Sequence, residues 1–295
     1  MPYATNPVDI NRGTTGLTLT PEMSGEIFAK TAEQSAIMQL AERISLPGHG
    51  LSIPVIMGDP VADFVAETAE KPVSNSTFET KTMTPYKIAV IETFSNEFRR
   101  DFRRLYDELV RRLPAALAAK FDKTIFHGTA PGTGFDVLSA ATAQDIETKP
   151  YEGLVSAYGS IAENGYRPTG YALSPAGEVI LFSAIDGNGR PLFMPSVADG
   201  SVGNILGAPV VKNGHVYDGT TNPKVIGFVG DWSQAKYGIV DDISLSISEE
   251  ATVNDGTNQI NLWQRNMFAV RAEFEVGFIV SDDTAFVKLT GAQGA

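Results

Sequence analysis

With 295 residues, 43% of them hydrophobic and 20% charged, the chain has the composition of a globular protein, which excludes a disordered or fibrous one. Cysteine is absent, which removes disulfides, thiolate chemistry and cysteine-ligated metals together. A formal charge of −12 argues against a free nucleic-acid-binding protein, whose phosphate-binding surface needs an excess of Lys and Arg, but a locally basic face can exist within an acidic whole.

Residues 1–20 are rich in Thr, Asn, Gly and Pro, show no sustained period, and read as an arm that another surface must hold. They lack the basic start and apolar stretch of a secretory signal. No apolar run approaches the ~18–20 residues that span a bilayer. A cytoplasm-like compartment and no membrane partner are therefore expected. Thr20-Pro21-Glu22-Met23 signals a helix start with Pro at the first helical position. Ile27, Phe28, Thr31, Ser35, Met38 and Ala41 then recur at the spacing of a short amphipathic helix.

From Leu46 the pattern turns to strands. Gly50–Ile56 and Ala62–Ala66 are separated by the turn-forming Gly58-Asp59-Pro60, and the polar stretch Glu70–Ser76 follows. Thr77–Met83 alternates, and Tyr86–Glu92 is a further strand. The segment predicts a long hairpin with a polar tip. A projection onto a neighbouring molecule and a plain solvated loop both fit that composition.

The clearest element is a helix opening near Ser95, a candidate N-cap, with Glu97 in the first turn, where the positive helix end favours it. Phe98, Phe102, Leu105, Leu109, Leu113 and Ala116 fall on one arc at about 100° per residue. Arg99, Arg100, Arg103, Arg104, Arg111 and Arg112 fill most of the remainder, with Asp101, Asp107 and Glu108 among them. The pairs Arg104–Glu108, Asp107–Arg111 and Glu108–Arg112 are four apart and can meet on the surface. Pro114 should kink the helix, since it lacks an N–H and crowds the preceding turn. The run continues through Leu117, Phe121 and Ile125 and stops at His127-Gly128. Two readings of the arginines stay open: contact with nucleic-acid phosphates without sequence readout, or ion pairing within the helix and to a neighbouring subunit.

Beyond the glycine-rich 128–134, helices are expected over Glu152–Asn164, closed by Gly165, and from Ser174-Pro175 to Ala184. Strands are expected at Gly170–Leu173, Pro209–Lys212, Lys224–Gly230, Ile243–Ser248, Met267–Val280 and Ala285–Leu289, with a turn at Asp186–Arg190. The chain is α+β, with segments that are not contiguous domains.

The chemistry-bearing residues form no catalytic set. His49, His127 and His215 are far apart in sequence and read as lone surface or turn histidines. Gly128–Gly134 lacks the Lys-Ser/Thr ending of a phosphate loop, and Gly187-Asn-Gly189 lacks a third glycine, so both read as turns. Adjacent carboxylates on a strand point to opposite faces, so Asp241-Asp242 and Asp282-Asp283 read as strand-end turns rather than metal sites. Glu273 and Glu275 share one strand face, read as solvated or as part of an interface. No cofactor and no metal are expected.

Several stretches occur in one order: Gly58-Asp-Pro-Val-Ala-Asp-Phe-Val-Ala-Glu67 with Glu70-Lys-Pro72; Ser95-Asn-Glu-Phe98; Ile125-Phe-His-Gly128; Asn204-Ile-Leu-Gly-Ala-Pro-Val210; Val229-Gly-Asp-Trp-Ser-Gln-Ala-Lys-Tyr-Gly238; Trp263-Gln-Arg-Asn-Met-Phe-Ala-Val-Arg-Ala-Glu-Phe-Glu275; and Ala285-Phe286. In that order and spacing the chain resembles the major capsid proteins of tailed bacteriophages with the Hong Kong 97-type fold, over nearly its whole length after about residue 20.

The resemblance implies an N-terminal arm and short helix over 1–45 and an extended loop over 46–92. It implies a peripheral domain with a spine helix from 93–149 and 239–280, and an axial domain from 150–238 and 281–295. It further implies self-assembly into hexamers and pentamers of an icosahedral virion shell around double-stranded DNA, assembled in the host cytoplasm. The implied partners are copies of the chain, a portal protein and a possible decoration protein. Because the chain starts at Met1 with a short arm, a separate scaffolding protein, or none, is expected. Glu67, Glu70, Lys71 and Lys81 are expected to contact a neighbour through the loop. The asparagine and carboxylate that crosslink some relatives to a loop lysine have no match, so covalent crosslinking is not expected. An encapsulin-type compartment is the alternative shell. A soluble α+β enzyme is the remote one, and would need a pocket with convergent polar groups.

Overall fold

The computed structural model describes residues 35–292 except 59, 61, 66–69, 72, 75–76, 98–102, 186–187, 189–191, 194–202, 241–242, 255 and 257, and leaves aside the side chains of 56–58, 77–78, 103–111, 114 and 245. The arm, most of the first expected helix, Arg99, Arg100, Glu67 and Asp241-Asp242 lie outside the described residues. The described part opens with α1, Ala36–Leu40, one turn capped by Ser35. Ser35 is extended and its hydroxyl accepts from the Met38 N–H. It therefore starts this helix rather than lying within it, as the hydrophobic spacing had implied.

A five-stranded sheet is organised by β14 (Met267–Val280), which the alternation of Phe268, Val270, Ala272, Phe274 and Val276 dictates. Along one edge it pairs antiparallel with β4 (Tyr86–Ser95), from Tyr86↔Val276 to Ser95↔Met267. Its other edge carries β11 (Ser244–Ser248) and β10 (Ala235–Ile239), and β1 (Glu42–Ser45) adds parallel to β10. Tyr86–Glu92 is thus a sheet strand and not an arm of the hairpin. The short β1 and β10 carry little alternation and were not legible as strands.

The hairpin proper is β2 (Leu51–Gly58) against β3 (Thr77–Met83), in register from Leu51↔Met83 to Gly58↔Thr77. Residues 62–65, expected as a strand, carry no regular structure. Among the described residues the ladder ends at Gly58↔Thr77, so they have no partner strand to join. A small ribbon, β12 (Thr252–Asn254) with β13 (Gln259–Asn261), stands apart from both sheets.

The long helix α2 spans Arg103–His127 and is unbroken through Pro114. Leu113, Leu117, Phe121 and Ile125 recur every four residues and are buried, whereas Ala116, expected on the same arc, is exposed. This face packs on β4 and β14, with Phe121 edge-on to Phe278 at 6.5 Å between centroids. Ser95, expected as the helix cap, ends β4, and its hydroxyl accepts from the Glu97 N–H in the turn that follows.

The second sheet has the order β5-β15-β9-β6-β8-β7, from β5 (Thr142–Asp145), β15 (Phe286–Thr290), β9 (Val225–Gly230), β6 (Gly170–Leu173), β8 (Ala208–Lys212) and β7 (Asn204–Ile205). One of its faces is covered by α3 (Pro150–Glu163) and α4 (Pro175–Phe182), through Leu154, Ala157, Ile161 and Leu181. Its opposite face, through Ala172, Phe228 and Phe286, joins the core around α2. Phe126 meets Phe228 at 4.8 Å between centroids, so the end of α2 fastens the two sheets together. Burying a phenylalanine stabilises by roughly 1.5–3 kcal/mol, so this contact is a substantial part of the joint.

Candidate functional site

The most completely built polar arrangement lies inside the joint. Asp122 on α2 is fully buried. Its Oδ1 accepts from the Ser35 hydroxyl at 2.6 Å and from the Ile37 N–H at 3.5 Å, and its Oδ2 accepts from the Ala36 N–H at 2.9 Å. The Asn213 amide donates to Oδ2 at 3.2 Å, and His215 Nδ1 stands 3.5 Å from the same oxygen. A lone carboxylate here would carry a heavy desolvation cost. Donors from two segments offset it: the start of α1, and Asn213 just past the end of β8. The N–H groups of α1 have no intrahelical partner, and a carboxylate at a helix N-terminus satisfies both the donors and the dipole.

His127, at the end of α2, and His215, in the turn Gly214–Val216, are 88 positions apart and come together at this joint through the His215 backbone. His127 Nε2 lies 3.2 Å from the His215 carbonyl oxygen, and its ring is flanked by Phe126 and Phe228. Burial pushes the His127 pKa below the ordinary imidazole range, against opposing pulls from Asp218 and from hydrogen bonds to His215 and Val216. His49 is exposed in a turn. The Asp122 oxygens are taken by structural donors. No nucleophile lies within reach of either imidazole among the described contacts. The arrangement is a tie between segments.

At the hairpin root, Leu46, Met83 and Ile279 form a separate apolar cluster. Gly238 and Gly277 face each other across β10 and β14. A Cβ on Gly277 would come within 2.7 Å of Met83 Cγ, and one on Gly238 within 2.7 Å of Leu46 Cβ. The two glycines make the slot that seats the root. Lys81 adds a polar fastening, donating to the Val280 carbonyl at 2.8 Å with Asp136 4.0 Å away. The Lys81 ammonium is therefore held by its own chain, near the root and away from the tip.

Burial first, then the nearby Asp136 and Asp282 charges, raise the pKa of Asp283, with Lys81 opposing. Burial also acts to raise Asp282, but hydrogen bonds from Thr284 and from the Tyr166 hydroxyl prevail and hold it low. Both aspartates belong to the strand-end turn the sequence suggested.

The tip is different in character. Phe64 is 104% exposed and Val73 90%, and Asp63, Glu70 and Lys71 are exposed beside them. A soluble chain leaves single apolar residues outside without consequence. A fully exposed phenylalanine on a narrow projection, however, forgoes burial worth roughly 1.5–3 kcal/mol.

Of the six arginines, Arg112 is described through its side chain and is exposed. It faces Glu92, whose pKa burial raises and Arg112 pulls down. The side chains of Arg103, Arg104 and Arg111 lie outside the described part of α2. The Glu273 and Glu275 carboxylates are committed to cations, Glu275 to Lys87 at 3.2 Å and Glu273 to Arg271 at 3.0 Å. Among the described residues no group of three or more His, Asp and Glu could hold a metal ion. No described helix is long and apolar enough to cross a membrane.

A groove runs between α2 and β4. Ile88, Phe121, Phe135 and Val276 line it together with Lys87, Lys120, Thr124 and residues 128–131. Sequence reasoning missed this groove and the Asp122 tie. Each is made by residues that only the folded topology brings together.

Comparison with known proteins places these features. The model of the phage capsid family matches residues 15–291. The chain is 33% identical over 290 residues to a protein of Mycobacterium phage D29 whose name reads "Probable major capsid protein", covering 92% of this chain and 89% of that one. It is 32% identical to the protein of the same name from Mycobacterium phage L5, over 92% and 89% of the two chains. A solved structure from Mycobacterium phage Adephagia superposes with a TM-score of 0.74 at 22% identity, covering 88% of this chain and 91% of that one.

Proposed function

The chain belongs to the phage capsid family, and from that premise we infer that it is the major capsid protein of a tailed phage, a subunit whose work is to assemble with copies of itself into a virion shell. The observation that carries this reading is the match to the family over 277 of its residues, 15–291, which takes in both sheets, α2 and the hairpin. The role is structural. The relatives' names favour a phage shell over an encapsulin-type compartment.

In finer terms, the subunits form hexamers and pentamers around double-stranded DNA, in the host cytoplasm, with a portal at one vertex. The hairpin over 51–83 lies on an adjacent copy, and the second sheet with α3 and α4 gathers near each capsomer centre. Two features support this. The apolar cluster that ties the hairpin to the sheet lies at its root, and its tip leaves Phe64 and Val73 bare. The two sheets are tied at one joint by Asp122 and Phe126, so the subunit can act as a stiff plate whose projections hold its neighbours. Many weak contacts per subunit then sum to a stable shell, because each contact after the first is effectively intramolecular.

The test is negative-stain electron microscopy with size exclusion of the purified protein over a range of concentrations, with and without a crowding agent. Hexameric rings, tubes or closed shells are expected, and the nucleic acid inside separates a phage shell from a compartment loaded with protein. A chain that stays monomeric under every condition, and in cells co-expressing its phage's other head genes, would overturn the reading.

A further inference from the structure

We propose that Asn213-Gly214 is a self-modification site that works as a one-way release of the joint: when the joint opens, the Asn213 amide is exchanged for a carboxylate that can no longer engage Asp122. Asparagine is a chemically labile residue, and most so before glycine, whose lack of a side chain lets its nitrogen approach closely. In the reaction the Gly214 backbone nitrogen attacks the Asn213 Cγ and gives its proton to water. The Cγ–Nδ2 bond breaks, ammonia leaves, and a five-membered succinimide closes. Water then opens that ring at either carbonyl, which yields aspartate or isoaspartate. Water is consumed and ammonia released, with no oxidant or reductant.

The sequence holds three such pairs, Asn164-Gly165, Asn188-Gly189 and Asn213-Gly214. Gly165 has a backbone reason to be glycine, a φ of +82° just past the end of α3. Gly189 lies outside the described residues. Gly214 is exposed, its φ is not positive, and a Cβ built on it would meet nothing within 4 Å. Glycine at 214 therefore contributes reactivity and not fold.

Asn213 itself is built into the joint. Its amide nitrogen donates to Asp122 Oδ2 at 3.2 Å, and its Oδ1 accepts from the His215 N–H at 2.8 Å. Its backbone is extended, with φ −150° and ψ 133°, and its own N–H donates to the Leu173 carbonyl at 3.0 Å. Ring closure needs the Gly214 nitrogen swung round to the side chain and the amide free to turn. The closed joint denies both, so the reaction runs from the open state and its rate follows how often the joint opens.

The products explain why the release is one-way. Aspartate has the shape of the amide it replaces. With one oxygen still on the His215 N–H, the other stands where Nδ2 stood, against the buried Asp122. A donor–acceptor contact becomes two carboxylates, and like charges so close oppose each other's ionisation. Isoaspartate instead carries the chain through the side-chain carbon and lengthens the turn that seats Val216 in the core around α2. With the ammonia gone, neither product reverts on its own.

The test incubates the full chain, unassembled, in mildly alkaline buffer and follows residues 213 and 164 by peptide mass spectrometry, with an isoaspartate-specific methyltransferase to count the isomer. Asn213 is expected to convert slowly in the folded chain and fast in urea. Asp122→Ala should raise its rate roughly tenfold, the shift in open population from losing one buried hydrogen bond. Asn164, exposed at the end of α3, should keep its rate. Where Asp122→Ala does not fold, Ser35→Ala, which removes one donor to the same carboxylate, takes its place. Gly214→Ala should keep the fold and suppress most of the conversion, and Asn213→Asp should speed hydrogen exchange in α1 and at Val216. An unfolded chain in which Asn164 converts and Asn213 does not would remove the site. Equal rates at Asn213 with the joint intact and weakened would overturn the gating, and unchanged exchange in Asn213→Asp would overturn the release. None of these measurements needs assembly, so a chain that never forms shells removes the capsid reading alone.

Discussion

Asp122 shows how one buried charge can join pieces of chain that are distant in sequence. Its oxygens take hydrogen bonds from Ser35, Ala36 and Asn213 with no water between, so each donor loses its acceptor if the carboxylate goes. Leaving a buried donor unpaired costs about 1–3 kcal/mol each, and partial relaxation keeps the total below the plain sum. Asp122→Ala is expected to destabilise the subunit by about 3 kcal/mol in urea denaturation, with faster hydrogen exchange at the Ala36 and Ile37 amides. Asp122→Asn, which retains one acceptor oxygen, should lose markedly less. Equal loss in both variants would mean that the charge itself, and not the acceptor geometry, holds the joint. His127 makes a separate prediction about pH. Burial lowers its pKa in the fold, while the unfolded chain titrates near the ordinary value of about 6.5. Below that value the unfolded state therefore binds the proton first. The contribution of the neutral ring is complete above about pH 6.5 and is lost as pH falls toward the folded value. Thermal scans of the unassembled subunit should show its melting point falling from pH 7.5 to 5.5, and His127→Gln should flatten part of that slope. The depressed carboxylates Asp145, Asp218 and Asp282 act at lower pH and do not confuse the comparison.

At the scale of elements, the hairpin is only as well aimed as its root. Gly238 and Gly277 leave a slot on the sheet that Met83 and Leu46 fill. Gly277→Val would place side-chain atoms where Met83 now lies and is expected to cost about 1–3 kcal/mol, the usual penalty for overpacking. Met83→Ala in the same chain should return part of it, and hydrogen exchange over 51–56 should rise in the single variant. If Gly277→Val unfolds at the same urea concentration as wild type, the slot has no role in seating the hairpin. The elements that were legible in the sequence carry strong local signals: the period-two run of Met267–Val280, the alternation of Thr77–Met83, and the Ser174-Pro175 helix start. Those that were not depend on distant partners. Ala235–Ile239 is a strand because β14 and β1 flank it, and nothing in Ala-Lys-Tyr-Gly-Ile compels extension. The hairpin boundary was hidden because Thr84 and Pro85 separate two strands that look like one run. Which of them joins the sheet depends on Ile88 and Val90 packing against the core beneath α2. For the site, the exposed polar tip could be read locally. The groove and the Asp122 tie could not, since their parts lie far apart in the sequence, Asp122 from Asn213 and Tyr86 from Val276.

For the whole molecule the deciding quantity is the distribution of charge. A net charge of −12 makes copies of this chain repel at long range. Assembly therefore needs local surfaces of opposite sign, and the arginine-rich sequence of α2 and the residues before it is the strongest basic concentration in the chain. Two uses of that concentration remain distinct: facing the nucleic acid inside a shell, or meeting the acidic surface of a neighbour. Arg99→Glu with Arg103→Glu reverses the local sign and separates the two. If the arginines bridge subunits, the double variant should give few particles, and wild-type assembly should itself weaken as salt rises and screens the contact beyond about 8–10 Å. If they face nucleic acid, shells should form in normal number but carry less of it, since every lost cation removes a phosphate contact and its released counterion. Particle counts by electron microscopy and the ratio of absorbance at 260 and 280 nm, measured on the same preparation, read the two outcomes independently. Normal numbers of normally filled particles would remove both roles and reduce the arginines to a solvated helix face held by its own i,i+4 pairs.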